Sequence, residues 1–518
     1  MTRRRAAQLG VAAALTIGLP LSLTSTQLAA DAAPAPSSAA FRQAVTVGGV
    51  LQHERVLQRI ANRNDGSRAS GTPGYDASAA YVAKRLRAAG YDVRVQNFTF
   101  PKFTENAPAT LTQDSPVATD YETETFEYSG SGTVTGPLTA ADGNTVPVTA
   151  APGETNAGCS VSDFDPAPSE DAVALIQRGT CSFGEKAQYA QEAGYDAAII
   201  FNEGQDGRTD LPGGTLGEPG DIPVVGLSYA DGAALQEQLE GGAEVVMTVA
   251  TDTSFDPDAQ TSNVIADTRG GDRDRTLVVG AHLDSVDGGA GINDNGSGTS
   301  TILEIAEEMA EAGVKPRQKV RFAFWGAEES GLLGSEHYVD SLSDRALSRI
   351  VANLNFDMVG SPNYVRFVYD GDGSDTDPAG PPGSAQIEEL FVDYFDSQDL
   401  ASAPTQFSGR SDYGPFIAVG IPAGGLFTGA EGVKTPEEAA IFGGTAGEPY
   451  DPCYHQACDD MTNLSTAALS EMGDAAAHAV LRLATTRTGF FEDGSFRQAT
   501  RERTAAQDFD NHGNHAAR

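Results

Sequence analysis

The chain has 518 residues, too many for one ordinary hydrophobic core, so at least two domains are expected. It sets 34 Lys and Arg against 72 Asp and Glu, a formal charge of -38. Such an excess repels phosphate backbones, argues against nucleic acid as a partner and favours solubility.

The first 33 residues run from Arg3, Arg4 and Arg5 through an apolar stretch to small residues around Ala30 and Ala32, the pattern of a secretory signal peptide. The apolar part is short and broken by Gly18 and Pro20, and no later stretch is long and apolar enough to span a bilayer. A secreted, extracellular protein without membrane association is expected, a monomer by default. Four cysteines occur, at 159, 181, 453 and 458, and an exported chain is free to pair them. Three connectivities are possible. Cys159 with Cys181 and Cys453 with Cys458 is preferred, because each bridge then stays inside one compositional region.

The N-terminal part of the first domain is placed at 34–125. Apolar residues near helical spacing predict a helix over 46–62, a long Gly and Ser loop, NRNDGSRASGTPGY, follows at 62–75, and 76–90 reads as an amphipathic helix stopped by Gly90. YDVRVQNFTF then alternates like a strand. From about 105 the texture turns acidic and Thr-rich, with short strand-like pieces ETFEYSG and VTGPLTA. Residues 126–255 are read as a small α/β domain: strand VALIQRG, helix EKAQYAQEAG, strand DAAIIFN and strand DIPVVGLSY. The stretch QRGTCSFGEKAQYAQEAGYDAAIIFN resembles the protease-associated domain, whose role as an insert is that of a lid or spacer, or of a peptide-binding module.

Strands and helices alternate again over 256–487. The series is TLVVGAH, a helix from Gly298 to Ala312, KVRFAFWGA, a helix from Leu332 to Leu342, VANLNFD, VRFVYD, a helix from Ala385 to Phe395, the run FIAVGIPAGGLFTG, and a last helix from Ser465 to Thr485. This predicts a mostly parallel sheet between layers of helices. The tail at 488–518 is too poor in apolar residues to pack and is expected to be disordered.

The rarer polar groups fall at the carboxyl ends of these strands, where open α/β sheets place their sites. His282 and Asp284 end one strand, Asp294 sits in the Gly and Asn loop that follows, Glu328 and Glu329 follow FAFWGA, Asp357 ends VANLNF, and His455 lies in a loop before the last helix. So many carboxylates on one edge repel unless protons or a metal compensate. Two imidazoles and three carboxylates suit zinc, and a shared carboxylate suits two ions about 3.5 to 4 Å apart. One of the adjacent glutamates is then left over as a general base that takes a proton from attacking water and returns it to the departing amine. Taken singly, each residue has a plainer reading: a strand-end Asp caps a helix, and a lone His is a surface group. Trp325 reads as core, and no GxGxxG or GxxxxGK[ST] phosphate loop is present.

The stretches GAHLDSVDGGAGINDNGSGTS, RFAFWGAEESGLLGS, NLNFDMVG, GRSDYGPF, GIPAGGLFTGA and YDPCYHQACDD resemble the co-catalytic zinc aminopeptidases of family M28, most closely their secreted, leucine-preferring members. The resemblance is strong over 256–485 and looser over 45–105. It implies that fold, a zinc-peptidase three-layer α/β sandwich, and two Zn2+: His282 and Asp357 holding one ion, Glu329 and His455 the other, Asp294 bridging. It further implies Asp284 as the acid orienting His282, Glu328 as the general base, Tyr454 as a donor to the tetrahedral intermediate, and Arg410 and Phe427 as substrate contacts. The segment before Arg410, ASAPTQFSG, lacks the carboxylate that an ammonium contact there would need, which leaves Glu328 and Asp357 as candidates. Calcium is a further structural or activating ion to consider, although no twelve-residue calcium loop occurs. The expected substrates are peptides or proteins with a free N-terminus and a large hydrophobic, Leu-like first residue. Two alternatives remain at this point: another zinc hydrolase on the same fold, such as a carboxypeptidase or small-amide hydrolase, and a non-catalytic binding homologue.

Overall fold

Runs of β-branched and aromatic residues bounded by glycine and proline become the strands of one extended sheet. The computed structural model describes residues 36–148, 151, 153–205, 207–490 and 494–496. The expected signal peptide and most of the expected disordered tail lie outside the described residues. The centre of the sheet is parallel: Gln318–Trp325 beside Asp272–His282, then Ile350–Phe356, then Ala423–Phe427. Every residue of Ile350–Phe356 is buried, as expected for a parallel strand covered on both faces.

Helices cover the two faces. Val47–Ala61, Pro73–Ala88, Gly298–Glu311 and Thr466–Thr485 contribute to the largest apolar cluster, with Leu57, Val82, Ile302 and Val480 among its fully buried members. On the opposite face Trp325 packs against Tyr338 at 5.1 Å and Phe416 at 6.0 Å. This is the expected three-layer α/β architecture, and Trp325 is core as expected. The second helix starts at Pro73 rather than 76, because Thr72 caps it by accepting from the Tyr75 amide and Pro73 tolerates the first turn.

The run FIAVGIPAGGLFTG does not form one continuous strand. Gly414–Ala418 is a short helix and only Ala423–Phe427 is strand. Gly420, at φ +74, breaks the chain between them. Among the elements not legible were the helices Ser38–Ala44, Tyr229–Glu240 and Pro436–Phe442, and the long strand Val246–Asp267.

A second, smaller α/β unit is inserted in the chain. Its strands Val173–Gln177, Ala197–Phe201 and Val224–Leu227 are parallel neighbours. Apolar clusters line both faces of them, one built on Ile176, Phe183 and Ile200, the other on Leu175, Ile199 and Met247. Cys159 and Cys181 form a disulfide within this unit. Two long antiparallel strands, Asp92–Ser115 and Val246–Asp267, run as one ribbon from the larger sheet into the insert, from Asp92 opposite Asp267 to Ser115 opposite Val246.

Candidate metal centre

Parallel register brings the functional side chains together. Trp325 pairs with His282 and Asn355 with Gly280, so the residues that follow these strands emerge at one edge of the sheet. His282 is the last residue of its strand. Asp294 lies in the turn Ile292–Ser297 that enters the helix Gly298–Glu311, and its peptide bond to Asn295 is cis. Glu328 and Glu329 follow Gln318–Trp325, and Asp357 follows Ile350–Phe356.

His282 Nε2 is 3.2 Å from Asp294 Oδ1, 3.2 Å from Asp357 Oδ1 and 3.8 Å from Glu328 Oε2. His455 Nε2 is 3.2 Å from Asp294 Oδ2 and 3.0 Å from Glu329 Oε2. Asp294 thus presents one oxygen to each imidazole. Two donors on a tetrahedral zinc at about 2.1 Å sit about 3.4 Å apart, so these separations fit one ion on either side of Asp294. The donor chemistry fits too. Behind His282, Nδ1 is 3.7 Å from Asp284 Oδ1, on the side away from the other donors.

Electrostatics make the same case. Burial pushes the Glu328 carboxyl well above its usual range, opposed by His282 and reinforced by Asp357 and Asp412. Burial also raises Glu329, with His455 opposing. Burial works the same way on Asp294, yet His282 and His455 hold it below the carboxylate range. A buried edge with this surplus of carboxylates calls for cationic compensation. Two other His or acid groups among the described residues are already compensated. His53 Nδ1 meets Tyr81 Oη at 2.6 Å, and Arg85 pairs with Glu307 beside it. Asp370, next to Asp372 and Glu388, accepts from the amides of Gly373, Ser374, Asp375 and Thr376.

Three residues with positive φ flank the donors: Ala327 at +53 before Glu328, Met358 at +51 after Asp357, and His455 itself at +56. Non-glycine residues rarely adopt this region, and such residues concentrate at functional sites. The His455 loop is closed by the Cys453–Cys458 disulfide, and Tyr454 stacks on His455 with ring centroids 3.9 Å apart.

Supporting residues absent from the sequence reading hold the donors in place. Ser411 Oγ donates to Asp357 Oδ2 at 2.6 Å and accepts from Asn355 Nδ2 at 2.8 Å. The amides of Asn293 and Asp294 donate to the two oxygens of Asp459 at 2.8 and 3.0 Å, and burial pushes the Asp459 carboxyl up to about 7. Thr299 Oγ1 donates to the His282 carbonyl at 2.6 Å. The residue type and a place inside a quoted motif were the available signals for Ser411 and Asp459; their partners are distant in sequence.

Arg410 is 42% exposed and lies 3.6 Å from Glu431. Glu431, in GAEGVKT, thus places a carboxylate beside Arg410 in space that the segment before Arg410 lacks in sequence. Phe427 stacks on Phe367 at 6.0 Å, beside Tyr450 and Phe442.

Comparison with known proteins agrees with this architecture. The profile of peptidase family M28 matches residues 263–480, and that of the PA domain matches 134–235. An aminopeptidase of Pseudomonas aeruginosa is 46% identical over 435 residues, 83% of this chain and 79% of its own. A probable lipoprotein aminopeptidase of Mycobacterium tuberculosis is 42% identical over 456 residues, 86% of this chain and 87% of its own. Among solved structures, an aminopeptidase from Aneurinibacillus sp. strain AM-1 superposes with a TM-score of 0.68 at 26% identity, covering 87% of this chain and 96% of that one. A zinc aminopeptidase from Bacillus subtilis gives 0.61 at 27% identity, covering 87% and 99%. The chain belongs to peptidase family M28 and carries an inserted PA domain.

Proposed function

We propose that the protein is a zinc-dependent aminopeptidase, secreted, that removes large hydrophobic residues from the free N-termini of peptides. The observation that carries this reading is the position of Asp294 between His282 and His455, with Asp357 beside the first and Glu329 beside the second. His282 and Asp357 would hold one zinc, Glu329 and His455 another, and Asp294 both.

Bound zinc supplies a Lewis acid for the scissile carbonyl and lowers the pKa of water at the site. Glu328, which is not needed as a donor in this scheme, takes the proton of the attacking water and hands it to the leaving amine. Asp284 fixes the His282 ring, in the usual manner of a carboxylate behind a ligating imidazole. The Tyr454 phenol donates to the developing oxyanion, and the disulfide-closed loop limits its movement. Carboxylates near the donors hold the substrate ammonium, with Glu328 and Asp357 as candidates. Phe427 walls the pocket for the first side chain.

Residues 126–255 would serve as a lid or spacer, with peptide binding as the second reading. Export is supported by the leader-like first 33 residues and by two disulfides, and among the described residues no helix is long and apolar enough to cross a membrane. Calcium remains a candidate structural or activating ion.

The decisive experiment compares leucine p-nitroanilide with its N-acetylated form, using chelator-stripped protein titrated with zinc while bound metal is counted. Cleavage of the free-amine substrate alone, rising to a plateau near two equivalents, is the expected result. No turnover of either compound at full occupancy would overturn the reading.

A further inference from the structure

We propose that the segment Ser67–Ser70 is a buried strut that sets the spacing of two of the donor-carrying loops, the one between His282 and Asp294 and the one bearing Glu328 and Glu329, with Arg68 and Ser70 as positioning residues. The inference rests on the metal-site reading above and concerns the Gly and Ser loop at 62–75, for which the chemistry gives no other use.

Arg68 is fully buried, with 0% of its surface exposed. Its guanidinium is spent entirely on the loop between His282 and Asp294. Nε donates to the Ala290 carbonyl at 2.8 Å, Nη2 to Gly291 at 2.5 Å, and Nη1 to Leu283. Its backbone amide donates to Ser285 Oγ at 3.0 Å, and Ser67 Oγ donates to the Val286 carbonyl at 3.2 Å. One planar fork therefore grips the loop just after His282 and again three residues before Asp294. A lysine cannot reproduce this, since an ammonium is a point donor on a flexible stem.

Two residues further on, Ser70 reaches the other loop. Its Oγ accepts from the Ala327 amide at 2.7 Å and from Thr261 Oγ1 at 3.1 Å. Ala327 is the positive-φ residue immediately before Glu328 and Glu329. The same four-residue segment thus touches two of the loops that carry the candidate donors, the one between His282 and Asp294 and the one that leads into Glu328 and Glu329.

The packing leaves no slack. Gly291, at φ +58, has no room for a Cβ, which would lie 2.4 Å from the Asp294 carbonyl oxygen and 3.1 Å from Arg68 Nη2. Glu54, also fully buried, lies against the same loop from the helix beneath: a Cβ on Gly296 would come within 2.7 Å of its Oε2. Glu54 is the largest opposite charge acting on Arg68, and Asp284, Asp459 and the candidate donor Asp294 add to it, so the buried guanidinium is coupled to the site by charge as well as by the three carbonyls. An ion pair built only for stability would not need three carbonyls from one loop.

The test measures zinc affinity by competition with dipicolinate, together with kcat and KM on leucine p-nitroanilide, for the full chain and for Arg68→Lys, Ser70→Ala and Arg85→Met. Arg85 pairs with Glu307 on the same helical layer, away from both loops, and its variant reports what loss of an ion pair does to stability alone. Expected are a 10 to 100-fold loss of zinc affinity in Arg68→Lys and Ser70→Ala, with kcat falling and KM within about twofold, and no change of affinity in Arg85→Met. Affinity within twofold of the parent in both strut variants would overturn the proposal, as would an equal loss in Arg85→Met. If Arg68→Lys does not fold, Ser70→Ala carries the same test. Failure of the parent protein to cleave any free-amine substrate would count against the proposed function, while the affinity comparison would still decide the strut.

Discussion

Lys186 lies inside the insert with none of its surface exposed, and its Nζ donates to the Ala157 carbonyl. Burial lowers its pKa from 10.5 to about 8, against the opposing pull of Glu203, Asp163 and Glu185. Below about pH 8 the folded and unfolded chains both carry the proton, and the full cost of burying the cation is present. Between about 8 and 10.5 the folded chain releases it first, the unfolded chain binds more protons, and stability rises with pH. At about 1.4 kcal/mol per pH unit, that window corresponds to about 3 kcal/mol. Lys186→Met removes the cation but leaves the Ala157 carbonyl without its donor, a loss of about 1 to 3 kcal/mol. Near pH 7 the variant should therefore match or exceed the parent, and near pH 11 it should be the weaker by about 1 to 3 kcal/mol. Urea unfolding followed by far-ultraviolet circular dichroism at pH 7, 9 and 11 gives the difference between the two proteins, in which other titrating groups cancel. Trp325, the lone tryptophan, reports the peptidase core separately. All four cysteines are paired, so no thiolate from the native chain starts disulfide exchange at high pH. A difference that stays constant with pH would refute the depressed Lys186 pKa and the buried cation behind it.

Glu328→Gln should lower kcat by about 10² to 10⁴-fold while zinc stoichiometry is retained; loss of bound zinc instead would mark Glu328 as a donor. Tyr454→Phe should lower kcat by about 10² to 10³-fold with little change in KM, read from steady-state kinetics. Ser411→Ala frees Asp357 from a 2.6 Å hydrogen bond and should weaken zinc binding about 10 to 100-fold in chelator competition. Stripping the metal should lower thermal stability, since zinc at 1,000 times its Kd stabilises by about 4 kcal/mol; an unchanged Tm after verified removal would argue against the paired donor set.

His282, Glu328, Glu329 and Asp357 could be assigned to one sheet edge from periodicity, because each ends or closely follows a hydrophobic strand, and Asp294 by its place in the Gly and Asn loop after the first of them. His455 was harder, as it lies in a loop with no strand before it, and only the flanking cysteines and the family resemblance singled it out. The supports were illegible for a different reason. Arg68 and Leu283, or Ser411 and Asp357, meet through hydrogen bonds across 215 and 54 positions, and nothing local marks such pairs. The pairing of Arg410 with Glu431 was illegible for the same reason, since the two residues meet across 21 positions of chain. The helix at Gly414–Ala418 was hidden by the apolar run through Phe416 and Ile417, which fits a buried strand and a buried helical turn equally well. The long strand Val246–Asp267 escaped because its middle, from Ser254 to Asp258, is exposed and contains Asp256, Pro257 and Asp258, residues that read as a turn.

The ribbon of Asp92–Ser115 and Val246–Asp267 gives the insertion a simple topology. Chain enters and leaves the small unit through neighbouring, antiparallel, hydrogen-bonded strands, so the whole of it is the loop of one enlarged hairpin. Excision leaves two ends already side by side. Joining Phe100 to Ala259, which face each other across the ribbon, through a two-residue Asn-Gly turn would return a short hairpin to the peptidase sheet without rerouting any other connection. Gain or loss of such a unit in a lineage then requires no rearrangement of the surrounding fold, only a change in where the chain turns back.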